Sequence, residues 1–185
     1  MQTHPILIIS GSNRPNSNTL RVARIVDRHY REIGVPAEIY SLDQLPLEIF
    51  LPDSYANKPA AFVEVQQRIL QSPGLHVVTP EYNGSFPGVL KYFIDLLKFP
   101  ESFEDKPVAF VGIASGSFGG LRSVEQLQMV FGYRNAHVYP DRVFVPNISG
   151  QLTAEGNLVD STLDQRLKKQ AAGFARFAHV LRAAR

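Results

Sequence analysis

The amino-acid sequence predicts an α/β domain in three layers, a parallel sheet with helices on both faces. Three observations predict it. Short apolar runs alternate strictly with stretches of helical periodicity, the pattern of a doubly wound parallel sheet. The 185 residues suit one domain of typical size. A composition of 44% hydrophobic and only 19% charged residues supports a buried core rather than disorder.

The first run, Pro5 to Ile9, reads as a strand. Thr19 to Ile33 follows, where Val22, Ala23, Val26, Tyr30 and Ile33 share one stripe at helical spacing and Gly34 and Pro36 supply the stop. Ala37 to Tyr40 reads as the second strand. A loop from Leu45 to Pro59 with three prolines then leads to a helix over Ala60 to Gln71 and a third strand, Leu75 to Thr79. Helix Pro87 to Lys98, strand Val108 to Ala114 and helix Gly120 to Phe131 continue the series. The paired runs around Ala136 and Val143 complete the fifth strand, and Asp160 to Ala183 is the last helix. Pro140 to Gly156, with two prolines, two glycines and few periodic positions, reads as a long surface connection. There are no repeats or low-complexity segments and neither loop marks a boundary, so residues 1–185 are expected to form a single domain.

Charge narrows the partners. Nineteen Lys and Arg against 17 Asp and Glu leave a formal net charge of +2, and the basic residues are scattered, which excludes a dedicated nucleic-acid binder. Small neutral or anionic molecules remain. The chain has no cysteine, which removes disulfides, thiolate nucleophiles and Cys-ligated zinc. Its five histidines, His4, His29, His76, His137 and His179, include no pair spaced for one helix face, so no metal site is expected. Met1 to Pro5 carries no basic start, and no segment reaches the roughly 18 apolar residues of a membrane span. A soluble, cytoplasmic protein with no membrane partner is the expectation.

In an open parallel sheet ligands bind beyond the carboxyl ends of the strands, so the loops there carry the chemistry. After strand one comes Ser10-Gly-Ser-Asn-Arg-Pro-Asn-Ser-Asn-Thr19, rich in hydroxyls and amides and leading into a helix. Helix N-terminal amides, hydroxyls and the Arg14 guanidinium suit an anion. Ser17 or Asn18 fits a plain N-cap equally well, and Arg14 a solvated loop position. The loop lacks both the Gly-Lys-Ser/Thr ending of nucleoside-triphosphate loops and the three-glycine dinucleotide fingerprint, which leaves a monophosphate. After strand three, Gly84 allows a tight turn and Pro87 suits a helix start, and amides from such a turn can meet the edge of a flat heterocycle. After strand four, Ser115-Gly-Ser-Phe-Gly-Gly-Leu-Arg122 has three glycines that let backbone approach a ligand.

These residues together resemble the NADPH-dependent FMN reductase family of the flavodoxin-like superfamily. Gly11-Ser12, Arg14 and Ser17 are similar to its phosphate loop. Pro80-Glu-Tyr-Asn83, Ser85, Pro87-Gly88, Leu90-Lys91 and Ile94-Asp95 resemble its most specific signature, and Gly116, Gly119-Gly120 and Arg122 its glycine-rich segment. The resemblance covers about residues 5 to 135 and departs from the usual pattern at Tyr92-Phe93, where smaller residues are common. It implies a flavodoxin-like, doubly wound five-stranded sheet in the order 2-1-3-4-5 carrying FMN. Electrons would pass from NADPH or NADH to the flavin and on to quinones, free flavin or another small-molecule acceptor. By the same resemblance Ser12, Arg14, Ser17, Asn18 and Thr19 would hold the phosphate. Pro80, Glu81, Tyr82, Asn83 and Gly84 would border the isoalloxazine, and Ser115, Gly116 and Ser117 the remaining rim. Tyr82 and Phe118 suit the lip of an acceptor pocket or plain packing, and Glu81 reads as a surface or interface carboxylate. No side chain is assigned a catalytic role, because the cofactor carries the chemistry.

The alternative is a flavodoxin-like FMN electron carrier without NAD(P)H turnover. Such carriers are strongly acidic for docking, against a net charge of +2 here. A homodimer or homotetramer is expected from helix Pro87 to Lys98. There Leu90, Phe93, Ile94 and Leu97 form one apolar stripe and Val89, Tyr92, Leu96 and Phe99 a second beside it.

Overall fold

The computed structural model describes residues 4–183, so the first three residues of the N-terminal stretch lie outside it. β1 (Ile6–Ser10), β2 (Ala37–Ser41), β3 (Leu75–Pro80) and β4 (Pro107–Ile113) pair in parallel in the order β2-β1-β3-β4. The fifth position is shared by two short strands. β5 (His137–Val138) pairs with Pro107 and Val108 at the start of β4, and β6 (Val143–Val145) with Val111 to Ile113 at its end. Pro140 lies in the break between them and has no N–H for a ladder bond. The order 2-1-3-4-5 that the family resemblance implies is the order observed.

Every residue of β1, β3 and β4 is buried, as strands between two helical layers must be. Side chains alternate between the faces. Leu7 and Ile9 join α2 (Ala60–Gln71), α3 (Gly88–Leu96) and α4 (Leu121–Tyr133) on one side, while Ile6 and Ile8 join α1 (Asn18–Glu32) and α6 (Ser161–Ala183) on the other. Among the described residues no helix is long and apolar enough to cross a membrane.

Two expectations change. α3 ends at Leu96 rather than Lys98, because Pro100 disfavours helical backbone in Phe99 and the Lys98 N–H is taken by Gln66 Oε1 at 3.0 Å. The second apolar stripe of this helix is also largely covered within the chain. Leu96 is buried in the same core as Leu90, and the Tyr92 hydroxyl donates to the Ile49 carbonyl at 2.7 Å with its ring against Phe50 and Tyr55. Only Phe99, beyond the helix, is exposed. The Leu45 to Pro59 segment, folded into short 3-10 helices at Leu47–Phe50 and Pro52–Tyr55, is thus docked on α3 by the atypical Tyr92. Phe93 fills the space between Tyr40 and Phe62.

One polar chain crosses the α1–α6 side of the core. Gln170 donates from Nε2 to the carbonyls of Phe110 and Asp141, both at 2.9 Å, so its Oε1 must accept from His76 Nε2–H at 3.2 Å. Nδ1 is then left to accept from the Tyr30 hydroxyl at 2.8 Å. This arrangement requires a neutral imidazole, and burial pushes the His76 pKa from 6.5 down to about 4. The unfolded chain therefore binds the extra proton between these values and stability rises with pH across the window. Roughly 3 kcal/mol is fully present above pH 6.5 and is lost as pH falls toward 4. Equilibrium denaturation at a series of pH values checks this. The His76→Gln variant should show a shallower loss of stability than the parent between pH 6.5 and 4.5, and identical slopes would contradict it.

Candidate active site

Strand order reverses at β1, which has β2 on one side and β3 on the other, and ligands bind at such a switch point. Here a crevice of about 320 Å³ opens beyond the strand ends, walled by residues 14–19 after β1, 80–82 at the end of β3 and 113–115 at the end of β4. A second compartment of about 240 Å³ adjoins it, shares Glu81, Ala114 and Ser115, and extends to Asn83, Gly84, Gly116, Phe118 and Arg122.

The first wall is the N-terminus of α1. Ser17 caps it, its Oγ accepting from the Leu20 N–H at 3.1 Å, and its hydroxyl proton remains available to a ligand. Asn18 and Thr19 begin the helix, so their N–H groups have no intrahelical acceptor. No acidic side chain stands in the first turn, and an anion there meets only the favourable end of the helix dipole. The Arg14 guanidinium lies 4.9 Å from the centre of the Tyr82 ring. Ser12 differs from its neighbours: it is fully buried outside the crevice lining, its Oγ accepts from the Arg14 N–H at 3.2 Å and lies 3.1 Å from the Tyr82 hydroxyl. It braces the loop against the second wall.

That second wall ends in a two-residue hairpin. Tyr82 and Ser85 exchange backbone hydrogen bonds of 2.8 and 3.1 Å, and Asn83 and Gly84 both have positive φ, 53° and 75°. These are the marks of a type I′ turn, for which Asn-Gly is the favoured pair. α4 holds the loop from behind. Ser123 Oγ donates to the Pro80 carbonyl at 3.0 Å, Arg122 pairs with Glu81 Oε1 at 3.2 Å, and Gln126 Nε2 donates to the Gly84 carbonyl at 3.1 Å. Glu81 is accordingly not a surface carboxylate, its side chain being 13% exposed. Ser123 and Gln126 were not marked by any motif; the only sequence signal was a small polar residue, Ser123, beside Val124 and Leu127 on the buried face.

Two of the three glycines of the third loop, Gly119 and Gly120, serve a different purpose from the one expected. A Cβ at Gly120, where φ is 87°, would stand 2.7 Å from the Ile113 nitrogen, and one at Gly119 2.9 Å from that of Val145. Their close approach is to β4 and β6, not to a ligand. Ser115 lines the crevice and Gly116 the adjoining compartment, whereas Ser117 is exposed and lines neither. The Pro140 to Gly156 segment is more than a surface connection. It supplies β6 and a short helix, α5 (Ile148–Gln151), and pins the third loop through Asn147 N–H to Gly116 O at 3.3 Å and Ile148 N–H to Ala114 O at 3.0 Å. It also places Ile148 in the crevice wall, a residue no sequence pattern indicated. An anion-binding end and an edge of backbone donors therefore face one cleft, the donor set a flat heterocycle with a terminal phosphate needs.

A family model described as NADPH-dependent FMN reductase matches residues 5–150. The chain is 28% identical over 153 residues to an NAD(P)H-dependent FMN reductase of Pseudomonas aeruginosa, covering 80% of this chain and 82% of that protein. It is 29% identical over 170 residues to an NADPH:quinone oxidoreductase of Arabidopsis thaliana, covering 89% and 86%. Among solved structures, the flavoenzyme NAD(P)H:(acceptor) oxidoreductase of Paracoccus denitrificans superposes with a TM-score of 0.80 at 20% identity, covering 96% of this chain and 98% of that one.

Among the described residues, Arg14 is the only cation lining the crevice. Replacing it with Ala should weaken FMN retention by about tenfold to a hundredfold, the value of one charge-assisted contact, roughly 1.5 to 3 kcal/mol. Flavin fluorescence during dialysis reads the result, and retention equal to the parent's would remove Arg14 from the phosphate site.

Proposed function

The chain belongs to the NADPH-dependent FMN reductase family, and on that premise we propose that the crevice holds FMN, with the phosphate at the N-terminus of α1 and the ring edge along the Asn83-Gly84 turn. The activity is NAD(P)H-dependent oxidoreduction through FMN to a quinone, free flavin or another small acceptor. The balance for a quinone acceptor is NAD(P)H, one proton and the quinone giving NAD(P)⁺ and the hydroquinone. Bound flavin supplies the two-electron chemistry; the chain's residues bind, orient and leave one face accessible. The observation that carries the reading is the pairing, in one cleft, of the free first amides of α1 beside Arg14 with an edge of turn amides beyond Tyr82. Asn18, Thr19, Ser17 and Arg14 hold the phosphate in this reading, Ser12 supports them through Tyr82, and Ser115 and Gly116 form the opposite rim.

The reading extends to a homo-oligomer, a dimer or tetramer. Its support is not α3 but three exposed side chains near one another in the chain's fold, Phe99, Met129 and Tyr133, with Arg134 stacked on Phe99 at 4.1 Å and 5.5 Å from the Tyr133 ring. Exposed apolar groups of this size mark interfaces. Sedimentation at micromolar concentration should give a mass above that of one chain, and a fully active monomer would contradict the oligomer.

Turnover is tested on purified protein by its visible absorbance and by NADPH oxidation with a quinone. One open cleft would have to serve donor and acceptor in turn, so double-reciprocal plots should be parallel. Intersecting lines would require a second substrate pocket, and bound FMN with no NADPH oxidation would make the protein an electron carrier.

A further inference from the structure

A two-residue hairpin does not hold its own shape in water, and the Tyr82–Ser85 turn has only its two mutual backbone bonds. Tyr82 is braced across the cleft by Ser12 and Arg14, and the Gly84-Ser85 half of the turn is held by one side chain on α4. The Gly84 carbonyl can only accept, so the Gln126 amide nitrogen must face it, at 3.1 Å. This orientation turns Gln126 Oε1 toward Ser85, whose hydroxyl donates to it at 2.5 Å. A single carboxamide thus ties both the carbonyl and the following side chain of the turn to α4. With the Gly84 carbonyl drawn back toward α4, the N–H groups of Asn83 and Gly84 have no acceptor among the described residues, and both residues line the compartment beside the crevice.

We infer that Gln126 is a positioning residue for flavin: by locking the Asn83-Gly84 turn it fixes the donor edge that meets the ring, and so sets both FMN affinity and the flavin reduction potential. The inference rests on the FMN reading above. Donors fixed against the ring stabilise the extra electron density of the reduced form more than they stabilise the oxidised form. Loosening them weakens binding of both forms, the reduced one further, and makes the potential more negative. Gln126 itself lines neither the crevice nor the compartment beside it, so its influence runs through the turn.

The test compares the parent with Gln126→Leu and Ser85→Ala by FMN titration of the apoproteins and by potentiometry of the reconstituted holoproteins. Gln126→Leu should bind oxidised FMN about tenfold more weakly, the value of roughly two hydrogen bonds. It should lose about threefold more for reduced flavin, read as a potential lower by roughly 14 mV for a two-electron couple. Ser85→Ala should shift both readouts the same way by less, and the double variant should add little to Gln126→Leu, since the two share one bond. Ser85→Ala keeps the question decidable if Gln126→Leu folds poorly. A parent that binds FMN alongside variants with its affinity and potential would overturn the role of Gln126 alone. A parent that binds no FMN would overturn the flavin reading and this inference with it.

Discussion

Inside the molecule, the Thr79 and Ser123 hydroxyls lie 2.9 Å apart and fully buried, with the Pro80 carbonyl 3.2 and 3.0 Å from them. Pro80 closes β3, where the ladder to β4 runs out at Ile113, and its buried carbonyl would cost about 1 to 3 kcal/mol if left without a donor. Ser123 supplies that donor from α4, and Thr79 in turn donates to Ser123. The end of the central strand is thereby locked to a helix of the covering layer. Every later residue of the second loop starts from this fixed point, with Glu81 tied to Ile113 by its N–H at 3.0 Å and to Arg122 by its carboxylate.

Around that anchor the site divides its work between two kinds of backbone. At β1 the chain turns into a long helix whose first amides are free, a fixed and non-titrating source of positive potential. At β3 it turns into a tight hairpin whose central amides have no acceptor among the described residues. Tyr82 joins the two, touching Ser12 and Arg14 from the second loop. The third loop contributes less through its own side chains than through its packing on β4 and β6, which brings Ser115 and Ile148 to the crevice.

The parallel sheet and the start of α1 were legible in the sequence because each rests on local pattern: uniform apolar runs, a stripe at helical spacing and a Ser-Asn-Thr entry. The strand order came from the family resemblance, not from any local pattern. What escaped depends on contacts between distant residues. Gln126 and Gly84 are 42 positions apart, Ile148 meets Ala114 across 34, and no local pattern relates them. Gly119 and Gly120 were visible as glycines, yet composition does not say whether close backbone approach is to a ligand or to a neighbouring strand. Tyr92 stood out as a departure, and its physical meaning, a hydroxyl pinning the Ile49 carbonyl, appears only when the proline-rich segment is folded over α3.

The central claim is that the N-terminus of α1 with Arg14 binds a phosphate ester while the Asn83-Gly84 edge binds the ring to which it is attached. The most direct measurement is the affinity of the apoprotein for FMN against riboflavin, which share the ring and differ by the phosphate. Two or more charge-assisted contacts at roughly 1.5 to 3 kcal/mol each predict that FMN binds at least a hundredfold more tightly. Equal affinities would contradict the phosphate site and the orientation of the cofactor built on it.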